Sequence, residues 1–192
     1  IVINDGSPDS IPLEKAIAPY RSRITYLVQE NRGPSAARNV GIKKARGEYL
    51  AILDSDDYWH PDYLASQLEI LSSDPGIDVV FSDALRVTAD GKNERRFSEE
   101  CPVRGELSFA RLLGSETHVY GGVTARREAL LRAGLYDESL RSGEDFDLWL
   151  RMLKTGQRIE YNPRVLAYYR VRAGSATSRA VPLARNMLKL LD

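Results

Sequence analysis

Two hydrophobic rhythms alternate along this chain: short continuous apolar runs, and apolar positions spaced three and four apart. Ile1-Val2-Ile3 has the profile of a buried strand, and Asn4-Asp5-Gly6-Ser7-Pro8-Asp9 that of the loop leaving it. Leu13 to Tyr20 predicts a short helix, and Ile24-Thr25-Tyr26-Leu27-Val28 a strand of β-branched and aromatic residues. Gly33-Pro34 opens a helix that Gly47 closes, since Pro suits a first turn and Gly an end. On it Ala37, Gly41 and Ala45 form a stripe small enough to lie close on a sheet. Tyr49-Leu50-Ala51-Ile52 is the next strand. Pro61 then opens a helix through Leu64, Leu68 and Leu71, ended by Asp74-Pro75-Gly76 before the strand Asp78-Val79-Val80-Phe81. Strands alternating with helices predict an α/β layered fold on a largely parallel sheet.

From Ala84 onward the rhythm loosens. Asp90-Gly91 predicts a hairpin turn between Leu85-Arg86-Val87 and Arg95-Arg96-Phe97. Ser108 to Leu113 and Arg127 to Ala133 read as short helices around a glycine-weakened strand, Gly121-Gly122-Val123-Thr124-Ala125. A longer helix from Ser142 sets Phe146, Trp149, Leu150 and Leu153 on one face. Strands follow at Arg158-Ile159-Glu160-Tyr161 and Leu166 to Val171, then a weakly amphipathic tail, Leu183 to Leu191. With a strand at its very start and no initiator methionine, the chain opens in mid-fold, and an upstream element is expected.

Composition narrows the class. The 192 residues, 43% apolar, suffice for one sizeable core. Twenty-seven Lys plus Arg balance 27 Asp plus Glu with no long basic run, which argues against nucleic acid as a partner. A single cysteine, Cys101, excludes an intrachain disulfide or a cysteine zinc cluster. No run approaches the roughly twenty apolar residues that cross a bilayer, and no signal peptide opens the chain. The expected location is cytoplasmic, with peripheral attachment to the inner face of the membrane compatible with the sequence.

The densest chemistry is Leu53-Asp54-Ser55-Asp56-Asp57, three carboxylates at the mouth of a buried strand. They repel one another and lose water there, so a divalent cation is a natural companion. Strand alternation sets Asp54 and Asp56 on one face with Asp57 turned away. Oxygen ligands suit Mg2+ or Mn2+, with positions left for phosphate. An Asp-rich turn capping the next helix is the alternative. In Ser142-Gly143-Glu144-Asp145 the carboxylates either cap a helix or present a general base on a rigid helix start. Arg38-Asn39, Arg170 and Arg172 could meet phosphate oxygens. His60 and His118, the only histidines, lack ligand spacing, and there is no nucleophile elbow or phosphate loop of the Gly-Lys-Ser type.

In order along the chain, Val2-Ile3-Asn4-Asp5-Gly6-Ser7, Asn31-Arg32-Gly33-Pro34-Ser35-Ala36-Ala37-Arg38-Asn39-Val40-Gly41, Gly47 to Asp57, and Gly143-Glu144-Asp145-Phe146-Asp147-Leu148-Trp149-Leu150-Arg151 resemble the GT-A-fold glycosyltransferases of family 2. The resemblance implies a Rossmann-like GT-A domain over 1–178, with a mixed, largely parallel sheet flanked by helices. Its nucleotide-binding part is 1–83 and its irregular acceptor-side part 84–178, before a helical tail at 179–192. It also implies a strand and helix ahead of Ile1.

As function, the resemblance implies inverting transfer of a sugar from a nucleoside diphosphate donor, commonly a UDP-sugar, to a hydroxyl on a saccharide, lipid-linked or protein acceptor. Cell-surface polysaccharide biosynthesis is the implied setting. Asp5 would bind the base, Arg38 and Asn39 the nucleotide side, and Asp56 the ribose or the metal. Asp57 would hold Mn2+ or Mg2+, Asp145 would be the catalytic base, and Glu144 would orient the acceptor. The family's late histidine after a Tyr-Arg pair is replaced, since Tyr169-Arg170-Val171 leads to Arg172. Two other readings stand beside this one: a nucleotide-sugar-binding module without turnover, and a metal-dependent nucleotidyltransferase or phosphohydrolase.

Overall fold

The computed structural model describes residues 1–88, 90, 92–119, 122–140 and 142–171. Gly91 of the expected hairpin turn, Gly121, Arg172 and the expected tail at 179–192 lie outside them. Strand β1 (Val2–Asp5) runs to α1 (Ile11–Ile17), a 3-10 segment (Ala18–Arg23) and β2 (Tyr26–Gln29), which lies parallel to β1 in the register Val2 to Tyr26. Helix α2 (Pro34–Lys44) begins after Gly33, whose φ of 90° only glycine adopts without strain, and it leaves helical geometry at Ala45, ahead of Gly47. Its fully buried face is Ser35, Ala36, Asn39 and Ile42. The small-residue stripe borders that face, where a Cβ on Gly41 would come within 3.2 Å of Ile3 Cδ1.

Strand β3 (Tyr49–Ile52) leads through a turn to the two-residue β4 (Tyr58–Trp59), too short to register in sequence, and to α3 (Tyr63–Ser73). This helix packs through Tyr63, Gln67 and Leu71, while Leu64 and Leu68 face solvent. The expected leucine stripe is therefore rotated outward at two of its three positions. The cause is a polar tie: Gln67 Nε2 donates to the Val80 carbonyl at 3.1 Å and Gln67 Oε1 accepts from Asn162 at 2.9 Å, which turns Gln67 inward.

The second half is more regular than its sequence suggests. Strand β5 (Ile77–Val87) is more than twice the predicted length and runs unbroken across the expected 83/84 boundary. It pairs with β6 (Asn93–Arg96), and Phe97, expected in that strand, instead starts α4 (Phe97–Glu100). The buried Asp83 fixes this turn, accepting from the Ser98 N–H at 3.2 Å and its hydroxyl at 2.6 Å. Then come α5 (Phe109–Leu113) with Ser108 as its cap, β7 (Val123–Arg126), α6 (Arg127–Arg132), α7 (Glu144–Lys154) and β8 (Arg158–Arg170). The two expected final strands are one. The register shift opposite Ser82 and Asp83 accommodates Pro163, which has no N–H for a ladder.

Among the described residues β1 and β2 form one small parallel sheet, and the other six strands form a mixed sheet of order β3-β7-β5-β8-β4 with β6 on β5. Its longest ladder, β5 with β8, is parallel, and its other pairings are antiparallel. Phe81, Leu112, Leu130, Leu148 and Met152 form the dry core between this sheet and α5, α6 and α7. Trp149 and Leu150 join it as expected, while Leu148 and Met152 are the deepest residues of α7. No helix among the described residues is long and apolar enough to cross a membrane.

Candidate active site

The carboxylate run does not continue the strand. Chain β3 ends at Ile52, and residues 54–57 fold into a turn closed by the Asp57 N–H on the Asp54 carbonyl at 3.1 Å. A four-residue turn brings its first and last positions to one side. Asp54 and Asp57 thus both line the cleft and Asp56 does not, which corrects the alternation that grouped Asp54 with Asp56. Strand β4 then pairs with β8, and the Arg170 N–H donates to Asp57 Oδ1 at 3.0 Å. Tyr58 and Tyr168 stack at 4.6 Å and 7° beside it, fastening the turn to the sheet edge.

The opposite wall is α7. Gly143, in left-handed geometry at φ 78°, redirects the chain so that Glu144 and Asp145 open the helix. Ser142 is not its cap; Gly143 takes that position, with no side-chain cap bond. The cleft between the walls is open to solvent and lined by residues of both. Trp59, Trp149, Tyr136 and Tyr168 supply its apolar surface, and Gly122 its floor. At Gly122 φ is 87° and a Cβ would lie 2.7 Å from Ala167 Cβ, so no side chain fits.

Arg38 joins the two walls. Its Nη2 donates to both Asp54 oxygens at 2.9 Å, and its Nη1 donates to Glu144 Oε1 at 2.9 Å and lies 3.6 Å from Asp145 Oδ1. The guanidinium also sits 5.3 Å from the centre of the Tyr136 ring. Burial alone would lower the Arg38 pKa, but the charges of Asp145 and Asp54 outweigh it and raise it, so Arg38 is a fixed cation.

Two carboxyls at the cleft carry raised pKa values. Loss of water pushes Asp57 up to about 6, helped by Asp56 and Asp54 and opposed by the Arg170 N–H. Burial likewise pushes Asp145 up to about 6, with Arg38 and the Tyr136 hydroxyl working against the rise and Glu144 and Asp54 adding to it. Half of the Asp145 side-chain surface remains accessible, so the carboxyl is crowded by protein behind and reachable from the cleft.

The other expected residues sit around this cleft rather than in it. Asp5 shapes the entry to α2: its Oδ1 accepts from Gln29 Nε2 at 2.7 Å and the Arg32 N–H at 3.0 Å, and its Oδ2 from the Gly33 N–H at 2.8 Å. Asn39 is buried and holds the α6–α7 connection, donating to the Tyr136 carbonyl and Glu138 and accepting from the Tyr136 N–H at 2.9 Å. Glu144 lies behind the cleft wall with its carboxylate on Arg38. Sequence reading passed over Tyr136, Trp59 and Trp149 as site residues. The available signal was Gly134-Leu135-Tyr136-Asp137-Glu138, a helix stop followed by an aromatic among acids.

Among the described residues no group of three His, Cys, Asp or Glu side chains converges to hold a metal ion by itself. The chemistry nevertheless fits a cation that keeps water and substrate oxygens among its ligands, as Mg2+ does with one or two carboxylates. The charges of Asp54 and Asp56 press on Asp57, and a cation would relieve that mutual repulsion.

Residues 1–135 match the model of glycosyl transferase family 2, a match that ends before α7. An uncharacterized glycosyltransferase of Rickettsia prowazekii is 32% identical over 190 residues, covering 94% of this chain and 57% of the relative. The succinoglycan biosynthesis protein ExoO of Rhizobium meliloti is 35% identical over 185 residues, covering 91% and 53%. The chain thus spans little more than half the length of these relatives. The crystal structure of S. aureus TarS 1–349 in complex with UDP-GlcNAc shares its fold, with a TM-score of 0.73 at 23% identity over 99% of this chain and 54% of that one. On the family match across most of its length, this chain belongs to glycosyl transferase family 2.

Proposed function

We propose that this chain carries the donor and catalytic sites of an inverting glycosyltransferase that moves a sugar from a UDP-sugar to an acceptor hydroxyl. The observation that carries the reading is the placement of Asp57 and Asp145 on opposite walls of one cleft, walls that Arg38 links through Asp54 and Asp145. TarS has been crystallised with UDP-GlcNAc and with UDP, which supports a UDP-sugar here. The succinoglycan relative supports a saccharide acceptor, free or carried on a lipid or protein, in cell-surface polysaccharide synthesis. We place the reaction on the cytoplasmic side, at the inner membrane face for a lipid-linked acceptor.

Asp57, with Asp56 beside it, would hold Mn2+ or Mg2+. Bound there, the ion would neutralise charge on the leaving diphosphate. Asp145 takes the proton of the acceptor hydroxyl as its oxygen bonds to the anomeric carbon and the bond to the diphosphate breaks. A carboxyl pKa of about 6 leaves it ionised at neutral pH yet basic enough to accept that proton. Attack from the face opposite the leaving group inverts the anomeric centre, so one base suffices. Arg38 exchanges part of its carboxylate contacts for phosphate oxygens when the donor enters. Asp5 has used three of about four lone-pair sites on Gln29 and the segment entering α2, and the remaining one serves the base. Asn39 acts on the nucleotide side by holding the 136–138 segment, and Glu144 acts on the acceptor through Arg38 and Asp145.

Calorimetry of UDP binding tests the clamp. Affinity should rise at least tenfold with Mn2+ in the unaltered protein and be indifferent to Mn2+ in Asp57→Ala. Equal affinity with and without metal in the unaltered protein overturns it.

A further inference from the structure

Tyr136 lies in the apolar core cluster, yet the segment that delivers it is built with more restraint than core packing needs. Gly134 and Leu135 both hold positive φ, 83° and 68°. A non-glycine residue persists there only where its surroundings over-determine it. They do so here: Asn39 bonds both the N–H and the carbonyl of Tyr136, and Arg151, anchored on Asp147, donates to the Leu135 carbonyl at 2.7 Å and to that of Ala133. The Arg38 guanidinium caps the ring and lies 3.6 Å from Asp145 Oδ1, so the phenol and that carboxyl meet the same cation in one cleft. Phenylalanine would fill the same space and remove only the hydroxyl.

We propose that Tyr136 is a positioning residue for Asp145: its phenol O–H, immobilised beneath Arg38, donates to the carboxylate and aims the free oxygen at the acceptor. This rests on Asp145 being the general base. The proton stays on the phenol throughout, because burial and then the Asp145 charge drive the Tyr136 pKa far above neutrality. Four groups face Asp145: Arg38 from α2, Asp54 from the β3–β4 turn, Tyr136 from the α6–α7 connection and Glu144 on its own helix. Of the two that favour its ionised form, the Tyr136 hydroxyl is the one removable without altering net charge.

The test compares the unaltered protein, Tyr136→Phe and Asp145→Asn in UDP release from UDP-GlcNAc with water as acceptor, as a function of pH. A carbon-13 NMR titration of the Asp145 carboxyl accompanies it. Loss of a hydrogen bond to a charged group predicts that Tyr136→Phe lowers kcat about tenfold. The donor KM and UDP affinity stay within twofold, and both the acidic limb of the kcat profile and the carboxyl midpoint move to higher pH. An Asp145→Asn protein without turnover beside a Tyr136→Phe protein with unchanged kcat and an unmoved limb overturns the positioning role alone. Near-normal turnover in Asp145→Asn overturns the base assignment on which it rests. As a second probe that keeps the ring, 3-fluorotyrosine at 136, a stronger donor, should move the limb to lower pH; no movement also counts against the proposal.

Discussion

Replacing Arg38 by Met should reveal how far the site depends on one cation. Met keeps most of the apolar stem but loses the cation over the Tyr136 ring, the bonds to Asp54 and Glu144 and the contact with Asp145. Only the Glu144 pair is buried on both sides, each side chain being 13% accessible. Removing one partner of such a pair costs about 3 kcal/mol or more, because the other charge is stranded. Asp54 and Asp145 are half accessible, so screening holds each of their pairs to roughly 0.5 kcal/mol. The total, about 4 kcal/mol, corresponds to a fall in Tm of ~10 °C for a chain of this size. Thermal unfolding followed by circular dichroism at pH 7.5 and pH 5 is the assay. The fall should be larger at pH 7.5 and smaller at pH 5, where Asp145, pushed up to about 6 by burial, is mostly protonated and leaves one charge fewer in the cleft. A fall below about 2 °C, or one equal at the two pH values, would refute Arg38 as the electrostatic centre of the cleft.

Three further outcomes follow from the geometry. Asp57 and Asp145 sit at about 6 when folded, above their unfolded values, so the folded chain binds more protons between these limits and their contribution to stability is lost as pH rises through 6. Metal-free Asp57→Asn should therefore have a higher Tm than the unaltered protein at pH 7.5 and a flatter pH dependence, read by calorimetry, while His118, lowered by burial, contributes the opposite trend in both proteins. Gly122→Ala forces a Cβ against Ala167 at positive φ and should destabilise by about 1–3 kcal/mol in urea unfolding; an unchanged midpoint would show that the floor yields. Asn39→Ala strands the Tyr136 N–H and carbonyl and should cost about 2 kcal/mol, with amide exchange at Tyr136 accelerated; unchanged exchange would mean that Arg151 alone holds the segment.

The alternation of short apolar runs with amphipathic helices made the α/β architecture legible, because both periods are local properties of the chain. Strand pairing is not local, and the sequence reading stopped β5 at Phe81 and split β8 at Asn162-Pro163 because polar residues there look like loop until a partner strand pairs with them. Gln67 shows the same limit in a helix: its burial depends on Asn162, far away in sequence. Within the site, the acidic run and Glu144-Asp145 stood out because charge at an element boundary has few structural uses. The sides they face did not, since a turn rather than a strand carries Asp54 to Asp57. Tyr136 was harder to read as a site residue, because an aromatic after a helix stop and before two acids suits core packing as well as it suits a site.

The central claim is that Asp145, facing Asp57 across one cleft, takes the acceptor proton. Single-turnover release of UDP from UDP-GlcNAc by Asp145→Asn, under donor and Mn2+ concentrations that saturate both proteins, tests it most directly. The account predicts a rate at least 100-fold below that of the unaltered protein with the donor still bound. A rate within threefold of the unaltered protein would contradict it, leaving Asp145 as a charge that merely opens α7.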